Sequence, residues 1–152
     1  MAILLSNEQD IPVDEDLIRR VAEHALELEG ASMEAELSVA FVGVDEMRRL
    51  NEEYRGVPEP TDVLSFAMED EVLTGRDFEE PQLIGDVVIS PLIARLTAQE
   101  MGHSLEAEIG LLLVHGILHL LGYNHEKPEE AQQMEARERE LLRPFFGGVF
   151  ES

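Results

Sequence analysis

Three of the five histidines lie close together, at positions 115, 119 and 125. Residues four apart on a helix share one face, so His115 and His119 could hold one cation with little backbone strain. Gly122 can end that helix by taking a positive φ, which would bring His125 back as a third ligand. Three neutral imidazoles with an open fourth position are typical of a catalytic zinc site. The spacing therefore predicts one zinc ion per chain.

The metzincin proteases share this spacing in their pattern H-E-x-x-H-x-x-G-x-x-H. Their glutamate follows the first histidine and acts as the general base, whereas position 116 of this chain is glycine. The pattern thus favours a metal site over peptide hydrolysis. The alternative is a pair of structural histidines on a core helix, where each unpartnered buried imidazole would cost about 1–3 kcal/mol.

Three other residues are candidates for supporting roles at this site. Glu108 precedes His115 by two helical turns and could orient a histidine, although the sequence favours a solvated or capping glutamate. His103 lies in the turn before the helix and could reach the mouth of the site. Asp86, in a predicted strand, is a candidate general base, but a buried strand aspartate is more often structural.

The elements that must position these residues follow from hydrophobic periodicity and capping signals. Five helices are expected, which begin at Asp14, Asp45, Ser90, Leu105 and Pro128. At least three strands are expected, at 37–41, 63–67 and 83–90, and residues 69–82 are expected to form an acidic loop. The pattern predicts one α/β (α+β) domain over residues 1–152, with a small mixed sheet and about five surrounding helices. The metal site would lie on the buried central helix, residues 105–121.

Composition narrows the function classes. The chain has 152 residues, with 33 acidic and 11 basic side chains and a net charge of −22. Such a surface repels phosphate and argues against a general nucleic-acid binder. The absence of cysteine excludes a disulfide scaffold and a cysteine nucleophile. The sequence has no signal-peptide pattern or membrane span, so a cytoplasmic protein is expected.

Arg55 is an isolated basic residue in this acidic chain, and its segment runs on to Phe66. A guanidinium is a fork-shaped donor suited to phosphate oxygens. The alternative is a surface salt bridge, which an excess of carboxylates makes easy to form. Composition alone favours the salt bridge.

Three segments together resemble the YbeY family, the bacterial metal-dependent endoribonucleases that mature ribosomal RNA. The run 115–125, HGILHLLGYNH, resembles the family signature H-G-x-L-H-L-x-G-Y-D-H. Residues 54–56 with 61–66, YRG and TDVLSF, resemble its second block, and residues 83–90, LIGDVVIS, resemble its third. The blocks occur in family order, and the resemblance covers nearly the whole chain. Asn124 stands where the signature usually has aspartate, which keeps a hydrogen-bond acceptor but loses the charge.

The resemblance implies zinc at His115, His119 and His125, and it implies Arg55 in the cleft beside the metal. On this basis Arg55, His115 and His119 are the expected catalytic residues. The implied substrate is single-stranded or ribosomal RNA, in maturation of the 16S 3′ end and in ribosome quality control. The implied partners are the small ribosomal subunit and its associated factors, with no DNA and no membrane.

Two other functions remain open. One is a ribosome-assembly factor in which the zinc is structural and other proteins cleave the RNA. The other is a metzincin-like protease, which the histidine spacing supports and Gly116 opposes.

Overall fold

The computed structural model describes residues 1–68 and 82–151, which form four strands and five helices. Their order along the chain is β1 (Ala2–Glu8), α1 (Glu15–Leu28), β2 (Ala35–Val42), α2 (Val44–Arg55), β3 (Val63–Ala67), β4 (Gln82–Ile89), α3 (Pro91–Met101), α4 (Leu105–Leu120) and α5 (Pro128–Phe146). The prediction of an α+β fold with five helices around a small mixed sheet is confirmed. No helix in these two described ranges is long and apolar enough to span a bilayer.

The sheet has the strand order β1-β2-β4-β3. Strands β1 and β4 run parallel to β2, and β3 runs antiparallel to β4. Strand β1 is not predicted from the sequence, because its apolar run of Ile3, Leu4 and Leu5 is unbroken and then turns polar, without the period-two alternation of a half-buried strand. Its pairing with β2, more than 30 residues away, is what makes it a strand.

The two faces of the sheet are covered unequally. Helices α1, α4 and α5 pack on one face, where they enclose a large apolar core with inward side chains such as Val39 and Val87. On the other face a small cluster joins Met47 of α2 to Leu64 and Val88. Because side chains alternate along a strand, neighbouring residues of β4 belong to different cores.

Helix α4 is buried on nearly all sides, as its composition predicted. Glycine lets it approach its neighbours closely at two positions. A Cβ on Gly110 would lie 2.5 Å from the Phe146 ring of α5, and a Cβ on Gly116 would lie 2.9 Å from Val87 of β4. The helix ends before Gly122, which has the predicted positive φ of 106°.

Most helix starts agree with the capping signals, with one exception. The side chains of Asp14 and Ser90 cap α1 and α3 as predicted. The prediction that Asp45 caps α2 is wrong, since Gly43 is the N-cap and Asp45 lies in the first turn. A carboxylate in the first turn still interacts favourably with the helix dipole. Asp45 therefore does mark the start of α2, but the N-cap lies two residues earlier. The loop predicted for 69–82 lies outside the described residues up to position 81, and Gln82 belongs to β4.

Candidate metal centre

The three clustered histidines converge at the C-terminal end of α4. His115 and His119 project from successive turns of the helix, and the chain reverses at Gly122 so that His125 faces them. One ring nitrogen from each histidine lies within 4.8 Å of the other two. Among the residues that the structure describes, this is the one group of three His, Asp or Glu side chains with such spacing. The folded chain therefore contains the donor set that the spacing predicted.

Hydrogen bonds determine which nitrogens point into the centre of this group. His119 Nδ1 lies 3.0 Å from the carbonyl oxygen of Tyr123, and His115 Nδ1 lies 2.7 Å from Oε2 of Glu138. A carbonyl and a carboxylate only accept, so both Nδ1 atoms carry the proton. In the neutral rings, both Nε2 atoms then offer lone pairs, and these two atoms are 3.1 Å apart.

This arrangement fits a metal ion. Two lone pairs at that distance repel unless a cation or a shared proton lies between them. Two nitrogens on one tetrahedral zinc, with Zn–N bonds of about 2.0–2.1 Å, would lie about 3.3–3.4 Å apart. The Nε2–Nε2 distance of 3.1 Å needs only a small adjustment to match. The three-histidine group could thus bind a metal ion and leave a further coordination position open.

Burial keeps the second histidine of the group in its ligating form. Desolvation lowers the pKa of His119 below its ordinary value of 6.5, and Coulombic interaction with the neighbouring His115 and His125 rings lowers it further. A histidine must be neutral to bind a metal. The surroundings therefore favour the protonation state that ligation requires.

Glu138 is the residue at this site that the sequence analysis missed. It lies on α5, 23 residues after His115, and only 6% of it is exposed. A signal was present, because Glu138 falls on the inward stripe of α5 between the buried Met134 and the buried pair Leu141 and Leu142. A charged residue on an apolar stripe requires a partner inside the fold.

Glu108 does orient a histidine, but not one at the metal centre. Its Oε1 lies 2.6 Å from Nε2 of His103, and both side chains are largely buried. The ring of His103 stands edge-on to Phe150, with 5.2 Å between ring centroids. His103 is not among the residues that line the cleft at the three histidines, so it does not form the mouth of the site.

A cleft of about 570 Å³ opens in front of the histidines. Its walls come from the end of α2, the following loop, β3 and α4, and include Arg55, Thr61, Asp62, Ser65 and Gly116. The guanidinium of Arg55 has no carboxylate of residues 1–68 or 82–151 within 4.0 Å. Within that part of the chain, the salt bridge that composition favoured does not form.

Two contacts hold Arg55 near the cleft. The buried Asn51 donates from Nδ2 to the carbonyl oxygen of Glu59 at 2.7 Å, which fixes the loop after α2. Tyr54 packs against Phe66 of β3, with ring centroids 4.9 Å apart. The last turn of α2 is thereby attached both to the loop and to the strand that line the cleft.

Strand β3 presents an open edge along the cleft. The amide of Ser90 donates to the carbonyl oxygen of Asp62, and the amide of Met68 donates to the carbonyl oxygen of Ile84. The backbone groups of the even-numbered residues of β3 therefore point towards β4. By alternation, the backbone amides of Val63, Ser65 and Ala67 point away from β4. In the described chain no strand pairs with this side of β3. The cleft therefore has backbone donors in addition to Arg55.

Gly116 and Asp86 are the two candidate positions for a general base. Gly116 lines the cleft, but a Cβ there would lie 2.9 Å from the Val87 side chain, so a larger residue would have to displace that side chain. Asp86 alternates with Val87 and therefore lies on the face that carries Val88, opposite α4. Asp86 is also absent from the cleft lining, so this structure does not support it as the base.

Asn124 retains a structural role despite the departure from the signature. Its side-chain oxygen accepts a hydrogen bond from the amide of Glu126 at 3.3 Å, in the turn that returns His125 to the site. An aspartate could accept the same bond, so the substitution removes a charge and preserves the turn.

The chain is similar to known proteins over most of its length. The family model described as "Endoribonuclease YbeY" matches residues 4–145. A protein of that name from Pelotomaculum thermopropionicum is 48% identical over 147 residues, which cover 93% of this chain and 95% of the relative. Another, from Exiguobacterium, is 41% identical over 151 residues, with 95% and 96% covered.

A solved structure gives the same result for the fold. The solution structure of a Thermotoga maritima protein superposes with a TM-score of 0.62 at 26% identity. The match covers 99% of this chain and 95% of that one. With the family model matched over most of its length and relatives above 40% identity, the chain belongs to the YbeY family.

Proposed function

We propose that this protein is a zinc-dependent endoribonuclease that cleaves single-stranded regions of ribosomal RNA in the cytoplasm. In this proposal it acts in maturation of the 16S 3′ end and in ribosome quality control. The observation that carries the proposal is the convergence of three histidine nitrogens at a cleft that also holds Arg55, in a chain of the YbeY family. The relatives are endoribonucleases by name, and this supplies the substrate class.

His115, His119 and His125 would hold one zinc ion per chain. Three imidazoles without a thiolate suit zinc, and an open fourth position is the pattern of catalytic rather than structural sites. When bound, the ion supplies positive charge that stabilises the negative charge of a phosphodiester as it reacts. His115 and His119 are catalytic residues in this sense.

Arg55 would bind the phosphate. A guanidinium donates two parallel hydrogen bonds to the non-bridging oxygens, and its charge is best placed to stabilise them in the transition state. The outward amides of Val63, Ser65 and Ala67 provide further donors along the same wall. Together these donors could bind a sugar–phosphate chain locally, although the net charge of −22 repels phosphate elsewhere on the surface.

The charge of −22 also bears on partners. Such a surface gives no general attraction for RNA, so binding depends on the few donors in the cleft. We therefore propose that the small ribosomal subunit and its associated factors present the RNA to this site. An isolated chain that bound random RNA tightly at physiological salt would contradict this part of the proposal.

The protease alternative is opposed by the packing at Gly116. A glutamate at that position is the general base of metzincins, and here the sheet fills the space that its Cβ would need. The assembly-factor alternative keeps the same metal site without cleavage, and the experiment below separates it from the nuclease.

The test is cleavage of a labelled single-stranded RNA by the purified protein, beside a His119→Ala variant prepared identically. Cleavage by the native protein alone supports the proposal and ties the chemistry to α4. Cleavage by both preparations indicates a contaminating nuclease. Cleavage by neither, repeated with intact small ribosomal subunits, would contradict the nuclease and favour the assembly factor.

A further inference from the structure

Glu138 is a buried carboxylate with one hydrogen-bond partner among the described residues, the Nδ1–H of His115 at 2.7 Å. Its position is fixed by the packing of α5. The flanking side chains of Met134, Leu141 and Leu142 are almost completely buried, and the next residue towards the N-terminus, Arg137, donates a hydrogen bond at 2.6 Å to Glu29, the C-cap of α1. The carboxylate is therefore held in place by the core and not by the metal centre itself.

The contact has two chemical effects on His115. It fixes the proton on Nδ1 and the rotation of the ring, so that Nε2 is the atom presented to His119 and His125. A carboxylate behind an imidazole also makes the ring a stronger ligand, because it stabilises the positive charge that the ring acquires on binding a cation. In return, that positive charge offsets the cost of burying Glu138.

We propose that Glu138 is a positioning residue for the metal: it orients His115 and raises its strength as a ligand. This inference rests on the metal site of the proposed function. It assigns to α5 a part in metal binding, although all three nitrogens come from α4 and the turn after it.

The chain contains a matched control for this role. Glu108 forms the same kind of contact with His103, at 2.6 Å, and is buried to a similar extent. Its histidine has no other ligating group beside it in the part of the chain that the structure describes. A substitution at Glu108 thus breaks a buried carboxylate–histidine pair without touching the metal centre.

The experiment compares Glu138→Ala, Glu138→Gln, Glu108→Ala and Glu108→Gln with the native protein. Zinc affinity is measured by competition with a chromophoric chelator, and cobalt-loaded protein is examined by its ligand-field absorption. Far-ultraviolet circular dichroism establishes that each variant is folded. These readouts report on the ligand geometry independently of RNA cleavage.

For Glu138→Ala we expect zinc affinity to fall by about 10–100-fold, with an altered cobalt spectrum. Glu138→Gln should lose less, because an amide oxygen can still accept from Nδ1. Both Glu108 variants should bind zinc within about twofold of the native protein, by the same reasoning on ligand orientation. If Glu138→Ala does not fold, the isosteric Glu138→Gln decides the matter.

Native affinity and an unchanged spectrum in both Glu138 variants would overturn the positioning role and leave the proposed function intact. An equal loss in the Glu108 variants would also overturn it, since general loosening of α4 would then explain the effect. Failure of the native protein to bind zinc would overturn the metal site of the proposed function, and the positioning role with it.

Discussion

Helix α4 contributes one member to each of two carboxylate–histidine pairs with contacts of nearly equal length, although the first pair uses Nε2 of its histidine and the second uses Nδ1. At its N-terminal end His103 contacts Glu108 at 2.6 Å, and in its C-terminal half His115 contacts Glu138 at 2.7 Å. The difference lies in what surrounds each ring. His103 packs against Phe150, whereas His115 faces two further imidazoles across the mouth of a cleft.

The hydrogen bond alone does not make a metal site. At the first pair it satisfies two polar groups that folding has removed from water. At the second pair the contact leaves Nε2 of His115 pointing at the ring nitrogens of two other imidazoles, and that group could bind a cation. A buried carboxylate–histidine pair is therefore structural or functional according to what the second ring nitrogen meets.

The largest effect is expected when a histidine of the metal centre is removed. His119→Ala leaves two imidazoles, so we expect zinc to be lost on dialysis and RNA cleavage to fall on the order of 100-fold or more. His103→Ala, the matched change at the other pair, should keep both zinc and activity. Metal analysis after dialysis and single-turnover cleavage measure the two outcomes. Equal zinc loss in both variants would contradict the distinction.

The next largest effect is expected at Arg55, in the wall of the cleft. For Arg55→Ala we expect turnover to fall about 100-fold with zinc content unchanged, since one charged donor to the phosphate is removed. Arg95 is also an exposed arginine, but it lies on α3 and is not among the residues of the cleft wall, so Arg95→Ala is the control. Native turnover in Arg55→Ala would remove this residue from the mechanism.

A substitution at Gly116 tests how closely α4 packs on the sheet, a property distinct from metal ligation. The added methyl of Gly116→Ala would meet Val87, and we expect a loss of about 1–3 kcal/mol in the free energy of unfolding. Gly148→Ala meets only an ordinary contact at 3.6 Å and should change stability little. Urea unfolding of both variants provides the measurement. A stable Gly116→Ala protein would show that β4 yields easily at this point.

The Glu108–His103 pair should contribute to stability and not to metal binding. Glu108→Gln replaces a buried charged acceptor, and we expect a loss of about 1–2 kcal/mol in the free energy of unfolding. Glu106→Gln, an exposed change in the same helical turn, should cost much less. Urea midpoints at pH 7 compare them. If Glu108→Gln were neutral, the contact with His103 would contribute nothing net.

The smallest expected effect is on pH dependence. In the folded, metal-free protein the pKa of His119 lies below 6.5, its ordinary value in an unfolded chain. Between these two values the unfolded chain binds more protons, so stability rises with pH and is lost as pH falls below about 6.5. We expect the urea midpoint of metal-free protein to drop between pH 7.5 and pH 5.5. The drop should be smaller in His119→Gln, and an equal drop would assign it to other groups.

The sequence could predict what depends on residues close together in the chain. The helix that carries His115 and His119, and the turn at Gly122, follow from spacing and from glycine's freedom at positive φ. These are local signals, and the structure agrees with them. The family resemblance added that Arg55 belongs beside the histidines, a proximity that no local pattern encodes.

What could not be predicted depends on distant contacts. Strand β1 is a strand because β2 supplies its hydrogen bonds, and its own residues lack the alternating pattern. Glu138 reaches His115 only because α5 packs along α4, and Glu108 had a closer histidine in His103. Spacing can show that a carboxylate and a histidine share a helix face, but it cannot decide between partners on different elements.

The place of α5 in the chain bears on the order of events during synthesis. A ribosome delivers residues 115–125 before residue 138, so a nascent chain has its three nitrogens before it has the carboxylate that orients one of them. At that stage Gly110 also lacks the Phe146 ring that packs on it. Given the role proposed for Glu138, metal capture at full affinity follows the arrival of α5. Full metal affinity is thus reached only after α5 has docked on α4.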